Sequence, residues 1–310
     1  MSNQAAIDKL LATINMHRHD FPEDAAHVEI HGNKVLGTQL VDGLEIESEE
    51  RPDGVAVKIV VKENTRIEQP VYFCFGMLEN GLQKIDMDVR FERNAKAKFI
   101  SHCTFATADE VRHEMDANIH LEPGAEYSYF ERHVHSAKAG AHVVPKAKVT
   151  LEEGARFSTE FELIKGRVGT IDIDYDAECA ADSVLEILSR ISGRKDDVIK
   201  IREAGKLSGE NARGVLTSNI AVRDDAVAEV YNELTATAPG ARGHVDCNEI
   251  APDRGRAKAI PIVDVRDPRA HVTHEAAIGS VDSKQLQTLM SRGLSEDEAV
   301  EMIIQGLLRK

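Results

Sequence analysis

Two kinds of apolar pattern alternate along the chain at a fixed period. A turn-plus-alanine signature recurs, each time followed by a strand-like stretch: NAKAKFISH at Asn94, GAEYSYFER at Gly124, GARFSTEFE at Gly154, DSVLEILSR at Asp182, NARGVLTSN at Asn211, GARGHVDCN at Gly240 and RAHVTHEAA at Arg269. The second residues of these segments run from Ala95 to Ala270 at separations of 30, 30, 28, 29, 29 and 29. Thr65, in NTRIEQPVYF, lies another 30 residues upstream and marks a first coil. Between these sites lies a second stretch per repeat, such as QKIDMDVRFE, MDANIHLEPG and VIKIREAGKL. Each shows apolar–polar alternation or a β-branched run, bounded by Gly, Pro, Asn or Asp.

Each repeat of about 29 residues therefore holds two strands and two turns, the signature of a solenoid whose coils stack at roughly 4.8 Å. An antiparallel sandwich is the competing architecture, but its turns recur irregularly at about 8–12 residues. The period is long for a tight triangular coil and predicts flattened ones. The fold class expected is mainly β, a parallel β-helix.

The ends read differently. Ile7, Leu10, Leu11 and Ile14 fall at helical spacing within Ala5 to Met16. Near the other end Asp282 can cap a helix that Gly293 stops, and Ser295 with Glu298 forms a capping-box signature for a second helix. That last helix carries an apolar stripe of Ala299, Val300, Ile303, Ile304, Leu307 and Leu308. The stripe can cap the open end of a solenoid or dock a partner, and the pattern does not choose. These boundaries divide the chain into an N-terminal helical and mixed segment (1–60), a β-helix core (61–281) and a C-terminal helical segment (282–310).

Composition narrows the function. Apolar residues make up 42% and charged residues 29% of 310 positions, as in a globular protein with a sizeable core. No run approaches the roughly 20 apolar residues of a membrane span, and the first 20 residues lack a signal-peptide pattern, so the expected location is cytoplasmic. The net charge of −15 repels phosphate backbones and argues against nucleic acid. No P-loop and no common hydrolase or dinucleotide signature occurs. Cys74, Cys103, Cys179 and Cys247 form no CxxC pair, too sparse for a disulfide framework and wrong for a zinc finger.

Counting from the repeat anchors gives a geometric argument. Cys247 and Glu249 sit at offsets 6 and 8 from Ala241, and His274 at offset 4 from Ala270. Even offsets share one face of a strand. Thiolate and imidazole on adjacent coils suit iron in a sulfur environment, so Cys247, His274 and Glu249 form a candidate metal or cluster site. Glu275 has the opposite parity and joins only if the coil end is flexible. Packing alone is the competing account of these residues. Cys103 and His133, both at offset 8, stack on neighbouring coils, and Cys74 lies one register slip away. They form either core packing or one end of a sulfur relay to Cys247, five coils or on the order of 24 Å distant. Cys179 reads as structural.

Two segments carry a family resemblance. The stretch Thr273 to Leu308 follows the pattern HEAxxGxxxxxQLxxLxxRGLxxxxAxxMIxxG, and GHVDCNEI spans Gly243 to Ile250. Both resemble the SufB/SufD scaffolds of iron–sulfur cluster assembly, with the likeness running from about Val71 to the end. The resemblance implies a right-handed parallel β-helix that dimerises through its C-terminal coils. It implies an ABC-type ATPase, SufC, docked on the C-terminal helices, and sulfur delivered as persulfide from a cysteine-derived donor. By matching position, Cys247 resembles the cluster or persulfide cysteine, and His274 and Glu275 the other assembly residues. The expected cofactor is a transient iron–sulfur cluster, and the chain itself is expected not to be an enzyme. It is shorter than bacterial SufB and lacks the N-terminal cysteine motif some of those carry, which favours a minimal scaffold acting as a homodimer. A structural regulator of the ATPase and, more remotely, a β-helix enzyme acting on polysaccharide are the alternatives.

Overall fold

Each coil is closed by the turn-plus-alanine signature at one corner. Asn94, Gly124, Gly154, Asp182, Asn211 and Gly240 all have positive φ, between 56° and 71°. That left-handed conformation is open to Gly and, among other residues, chiefly to Asn and Asp. The residue after each is fully buried, from Ala95 through Ser183 to Ala241, because the chain turns inward there and only a small side chain fits. Successive corners touch. A Cβ on Gly240 would lie 2.3 Å from Asn211 Oδ1.

The computed structural model of the chain describes residues 2–309. Helix α1 (Asn3–Thr13) is followed by β1 (His27–His31), β2 (Lys34–Gln39), β3 (Leu44–Arg51), β4 (Gly54–Val61), β5 (Val71–Gly76), β6 (Gly81–Phe91), β7 (Lys96–Phe105), β8 (Val111–Leu121), β9 (Glu126–His135) and β10 (Ala141–Leu151). The second half comprises β11 (Arg156–Lys165), β12 (Gly169–Cys179), β13 (Val184–Gly193), β14 (Val198–Leu207), β15 (Arg213–Val222), β16 (Val227–Ala236), β17 (Arg242–Ile250), β18 (Arg256–Val265) and β19 (His271–Gly279). Helices α2 (Ser283–Met290) and α3 (Glu296–Leu308) end the chain.

The strands form two sheets. The odd strands from β19 back to β5, then β1 and β2, make a ten-stranded sheet, and the even strands from β18 back to β4, then β3, make a nine-stranded one. Pairing is parallel except in the β1–β2 and β3–β4 hairpins. This is a flattened parallel β-solenoid with two strands per coil, as the 29-residue period predicts. Strands β1 and β4, inside the segment expected as N-terminal and mixed, pair with β5 and β6 and so extend both sheets below residue 61.

The two sheets face each other across a core filled from alternate positions of every strand. Its N-terminal half is an aromatic ladder: Phe73 packs on Phe99 at 5.5 Å, Phe99 on Tyr127 at 5.1 Å and Tyr127 on Phe157 at 5.4 Å between ring centroids. Burying each such side chain stabilises by about 1.5–3 kcal/mol.

Helix α1 lays Ile7, Leu10 and Leu11 against Cys74 on the outside of β5. At the other end, Ser295 and Glu298 make the expected capping box of α3. The stripe of α3 does not cover the open end of the solenoid. Val300, Ile304 and Leu308 pack on Ala221 with Ile164 and Ile250, at the ends of β15, β11 and β17. Strands β18 and β19 are therefore left as sheet edges, and Ile262, Val265 and Ile278 on them are exposed.

Candidate functional site

The solenoid interior carries polar side chains in two columns of the ten-stranded sheet. One column runs Ser101, Glu131, Phe161, Ser189, Ser218 and Cys247, ending on Ala276. Beside it runs Cys103, His133, Leu163, Ile191, Ile220 and Glu249, ending on Ile278. Polar residues gather at the two ends of these columns, with Phe161 and Leu163 between the groups.

At the C-terminal end, Ser218 donates to Glu249 Oε1 at 3.1 Å. From the facing sheet, Glu203 accepts from Ser189 at 2.6 Å. Asn232 donates to Glu203 Oε2 and to the Tyr231 carbonyl, both at 3.2 Å, and its amide lies 3.8 Å from Cys247 Sγ. All six side chains are buried. Burial pushes the Cys247 thiol up to about 11, opposed by a hydrogen bond with Ser218. Burial likewise raises the Glu249 and Glu203 carboxyls to about 7. Glu249 Oε2 has no hydrogen-bond partner among the described residues. Burial thus favours the neutral, protonated forms in this cluster, which lies one coil below the sheet edge at β19.

The residues expected around Cys247 divide between two faces. His274 pairs with Val245 in register, so it shares the inward parity of Cys247, two positions along, on the exposed last strand. Glu275 pairs with Asp246 and lies on the outer face. There its carboxylate, His244 and Asp246 offer ligand atoms all within 4.8 Å of one another. Alternation along a strand explains the division: Glu275 cannot reach the interior without a bulge. Within one chain, Cys247, His274 and Glu275 do not form a common ligand set among the described residues.

At the N-terminal end, Cys103 and His133 are direct partners in register. They meet Glu131 on their own sheet and His113 from β8 on the facing one, with ligand atoms again all within 4.8 Å. Glu131 Oε1 lies 2.6 Å from His133 Nε2 and accepts from Cys103 Sγ at 3.5 Å. Burial pushes the Cys103 thiol well up, reinforced by Glu131, and holds His113 and His135 down at about 3. Cys74 is not part of this group. It pairs with His102, one residue out of step with Cys103, and belongs to the outer face under α1. Burial raises its thiol to about 12. Cys179, fully buried on β12, is likewise raised to about 12 by burial.

Sequence reasoning found Cys103, His133, Cys247 and Glu249 because the period aligns them. It missed His113, Glu131, Glu203, Asn232, Ser189 and Ser218. The three cross-sheet partners, His113, Glu203 and Asn232, all lie in ordinary alternating strands, and only closure of the coil sets them opposite the inward side chains of the other sheet.

A row of cysteine, serine and carboxylate side chains lies buried inside a parallel β-solenoid, one coil from an open sheet edge. The family model for the SUF system FeS cluster assembly SufBD core domain matches residues 77–307. An iron–sulfur cluster assembly SufBD family protein of Methanocaldococcus jannaschii is 36% identical over 293 residues, covering 93% of both chains. Another, from Pyrococcus horikoshii, is 34% identical over 289 residues, covering 93% of this chain and 88% of its own. One from Archaeoglobus fulgidus is 26% identical over 249 residues, covering 78% of this chain and 65% of its own. The chain belongs to the SufBD family of iron–sulfur cluster assembly proteins. No helix among the described residues is long and apolar enough to cross a membrane.

Proposed function

We propose that this chain is a scaffold on which iron–sulfur clusters are built and passed on, acting as a homodimer beside a SufC-type ABC ATPase. The observation that carries the reading is the buried Cys247–Glu249 group lying one coil below an unpaired sheet edge. Iron and sulfur are the cargo, the sulfur arriving as persulfide from a cysteine-derived donor. A thiol raised to about 11 is a poor ligand until a metal displaces its proton, so loading requires iron at the sulfur and a route to it.

The open edge supplies the rest of the reading. Strands β18 and β19 present a row of unpaired backbone groups, which a second copy can satisfy about a two-fold axis. Such a joint brings together two sets of Cys247, His274 and Glu275, together with the outer-face His244 and Asp246. Helices α2 and α3 hold the ATPase. Met290 and Met302 are exposed there while the opposite stripe of α3 is anchored. Movement of the ATPase pair then loosens the last coils and uncovers Cys247. The chain itself turns nothing over.

Anaerobic purification with the ATPase, with mass, iron and sulfide measured together, tests this. The expected result is a two-fold assembly that takes up iron and sulfide, with Mössbauer signals of a cluster that Cys247→Ser removes. A Cys247→Ser variant with undiminished cluster content would overturn the ligand assignment. Burial of all four thiols favours one second reading, a regulator of the ATPase in which the cysteines only pack. That reading predicts a stable complex with no cluster in the wild type.

A further inference from the structure

The group around Cys103 lies far from the open edge and has the chemistry of a different kind of site. We propose that Cys103, His113, Glu131 and His133 bind one divalent ion of the zinc or ferrous class, closed inside the solenoid. The proposal stands apart from the scaffold reading and uses none of its residues.

Hydrogen-bond accounting carries the argument. Nδ1 of His135 lies 2.9 Å from the carbonyl oxygen of Arg167, which can only accept, so that nitrogen bears a proton. In the neutral ring Nε2 of His135 is then a lone pair. It lies 3.2 Å from Nδ1 of His133, which must donate to it. The neutral His133 ring is thereby left with its Nε2 lone pair pointing at Glu131 Oε1 at 2.6 Å. Two acceptors face each other, and a cation or an extra proton has to lie between them. A histidine whose far nitrogen is fixed by a hydrogen bond, leaving the near one free, is the usual arrangement of a metal ligand. The chain of support continues outward. Arg167 is held by Asp197 through two hydrogen bonds of 2.9 and 2.7 Å, and Asp197 is fully buried.

His113 is the independent sign. It is 1% exposed, and neither of its ring nitrogens has a hydrogen-bond partner among the described residues. A buried imidazole always carries at least one N–H or lone pair to satisfy, and native interiors seldom leave both idle. A metal ion among the four side chains gives one nitrogen its partner.

Charge and size agree. Thiolate and carboxylate together neutralise a divalent ion, with two neutral imidazoles completing four ligands, so the loaded site carries no net charge in a dry interior. On loading, the thiol proton of Cys103 and any proton between His133 and Glu131 leave to solvent. Tetrahedral zinc ligands stand about 3.4 Å apart, within the 4.8 Å spread here, and the short His133–Glu131 approach must open on binding. Phe105 and Phe161 wall the group, at 5.1 Å from the His113 ring and 4.8 Å from the His133 ring. A mixed sulfur, nitrogen and oxygen set suits zinc or ferrous iron and disfavours magnesium or calcium. With no open coordination position the ion is structural and is taken up as the coils close.

The test uses the full chain carrying Cys247→Ser, so that metal at the cluster position is not counted. The protein is produced in minimal medium supplemented with zinc, ferrous iron or cobalt(II), each in turn, then treated with a chelator. The expected result is about one retained ion per chain, and for cobalt a thiolate-to-metal charge-transfer band with tetrahedral d–d bands. Cys103→Ser should abolish the charge-transfer band, and His113→Phe should abolish retention while leaving a folded protein, since Phe suits the apolar wall. His135→Ala, which alters a positioning residue only, should weaken retention about 10–100-fold. Absence of a retained ion in the Cys247→Ser chain overturns the proposal, as does a cobalt spectrum without thiolate character. Equal retention by His113→Phe does so too. Should a variant fail to fold, the spectrum of the Cys247→Ser chain decides alone.

Discussion

The Ser218 hydroxyl donates to Glu249 Oε1 across the boundary between two coils, at 3.1 Å, with both side chains buried. Among the described residues it is the one hydrogen bond made by a carboxyl whose other oxygen has none. Burial raises the Glu249 carboxyl from 4.5 to about 7, so the folded protein holds a proton there that the unfolded chain releases. Stability from this group is present below about pH 4.5 and is lost as pH rises through about 7. Glu249→Gln should therefore flatten the decline in urea stability between about pH 5 and pH 8, by up to roughly 3 kcal/mol. Asp246 and Cys247 are its charged and titratable neighbours. Glu203, raised to about 7 in the same cluster, should leave a residual slope that Glu203→Gln removes. An unchanged slope in the double variant would count against protonated carboxyls in the interior.

Thiol labelling gives a second check. All four cysteines are buried, and burial raises every thiol. The isolated native protein should resist a maleimide reagent at neutral pH and label fully only in denaturant. With the ATPase and ATP present, Cys247 alone should gain reactivity. Labelling of Cys74 or Cys179 under those conditions would instead indicate general unfolding.

The corner turns predict a local cost. Gly240 has φ +71°, and a Cβ there would meet Asn211 Oδ1 at 2.3 Å. Gly240→Ala should destabilise by about 1–2 kcal/mol from conformation alone, more with the clash, while Asn211→Gly should cost little. Denaturant midpoints at constant slope measure both.

In the aromatic ladder, Phe99 touches Phe73, Phe91 and Tyr127 and is fully buried. Phe99→Ala should cost about 3–5 kcal/mol. An equilibrium unfolding curve that loses cooperativity would show further that the N-terminal coils melt separately.

Helix α3 separates packing from partner contact. Ile304 is buried against the solenoid, and Arg194 Nη2 donates to both Glu301 carboxylate oxygens at 2.8 Å. Ile304→Ala should lower stability by about 2–4 kcal/mol, or less if the helix frays independently. Met302 is 49% exposed. Met302→Asp should leave the melting temperature alone and weaken co-purification of the ATPase. Unchanged co-purification would move the docking surface elsewhere.

The repeat was legible because a solenoid copies its constraints along the chain. Each corner needs a residue tolerant of positive φ followed by a small one, so Asn94–Ala95, Gly124–Ala125 and Asn211–Ala212 recur at the coil length. Counting along one strand then puts Cys103 beside His133 in true register. The helix caps at Asp282 and Ser295 were equally readable, since capping is a local bargain between a side chain and the next turn.

Other features depended on distance in space. His113 is opposite Cys103 only because the coil folds back on itself, and nothing in VRHEMDANIHL marks its third residue as interior chemistry. Glu275 follows His274 in the chain, yet alternation sends them to opposite faces. The stripe on α3 specified that the helix must bury one side. Where it did so, on the flank at Ala221 and not over the last coil, was decided by the solenoid's shape. Sequence by itself determined what repeats and what is local, because those constraints act within a coil length. Only the tertiary structure decided which inward side chains face one another across the sheets, because that depends on closing coils whose two strands lie far apart in the chain.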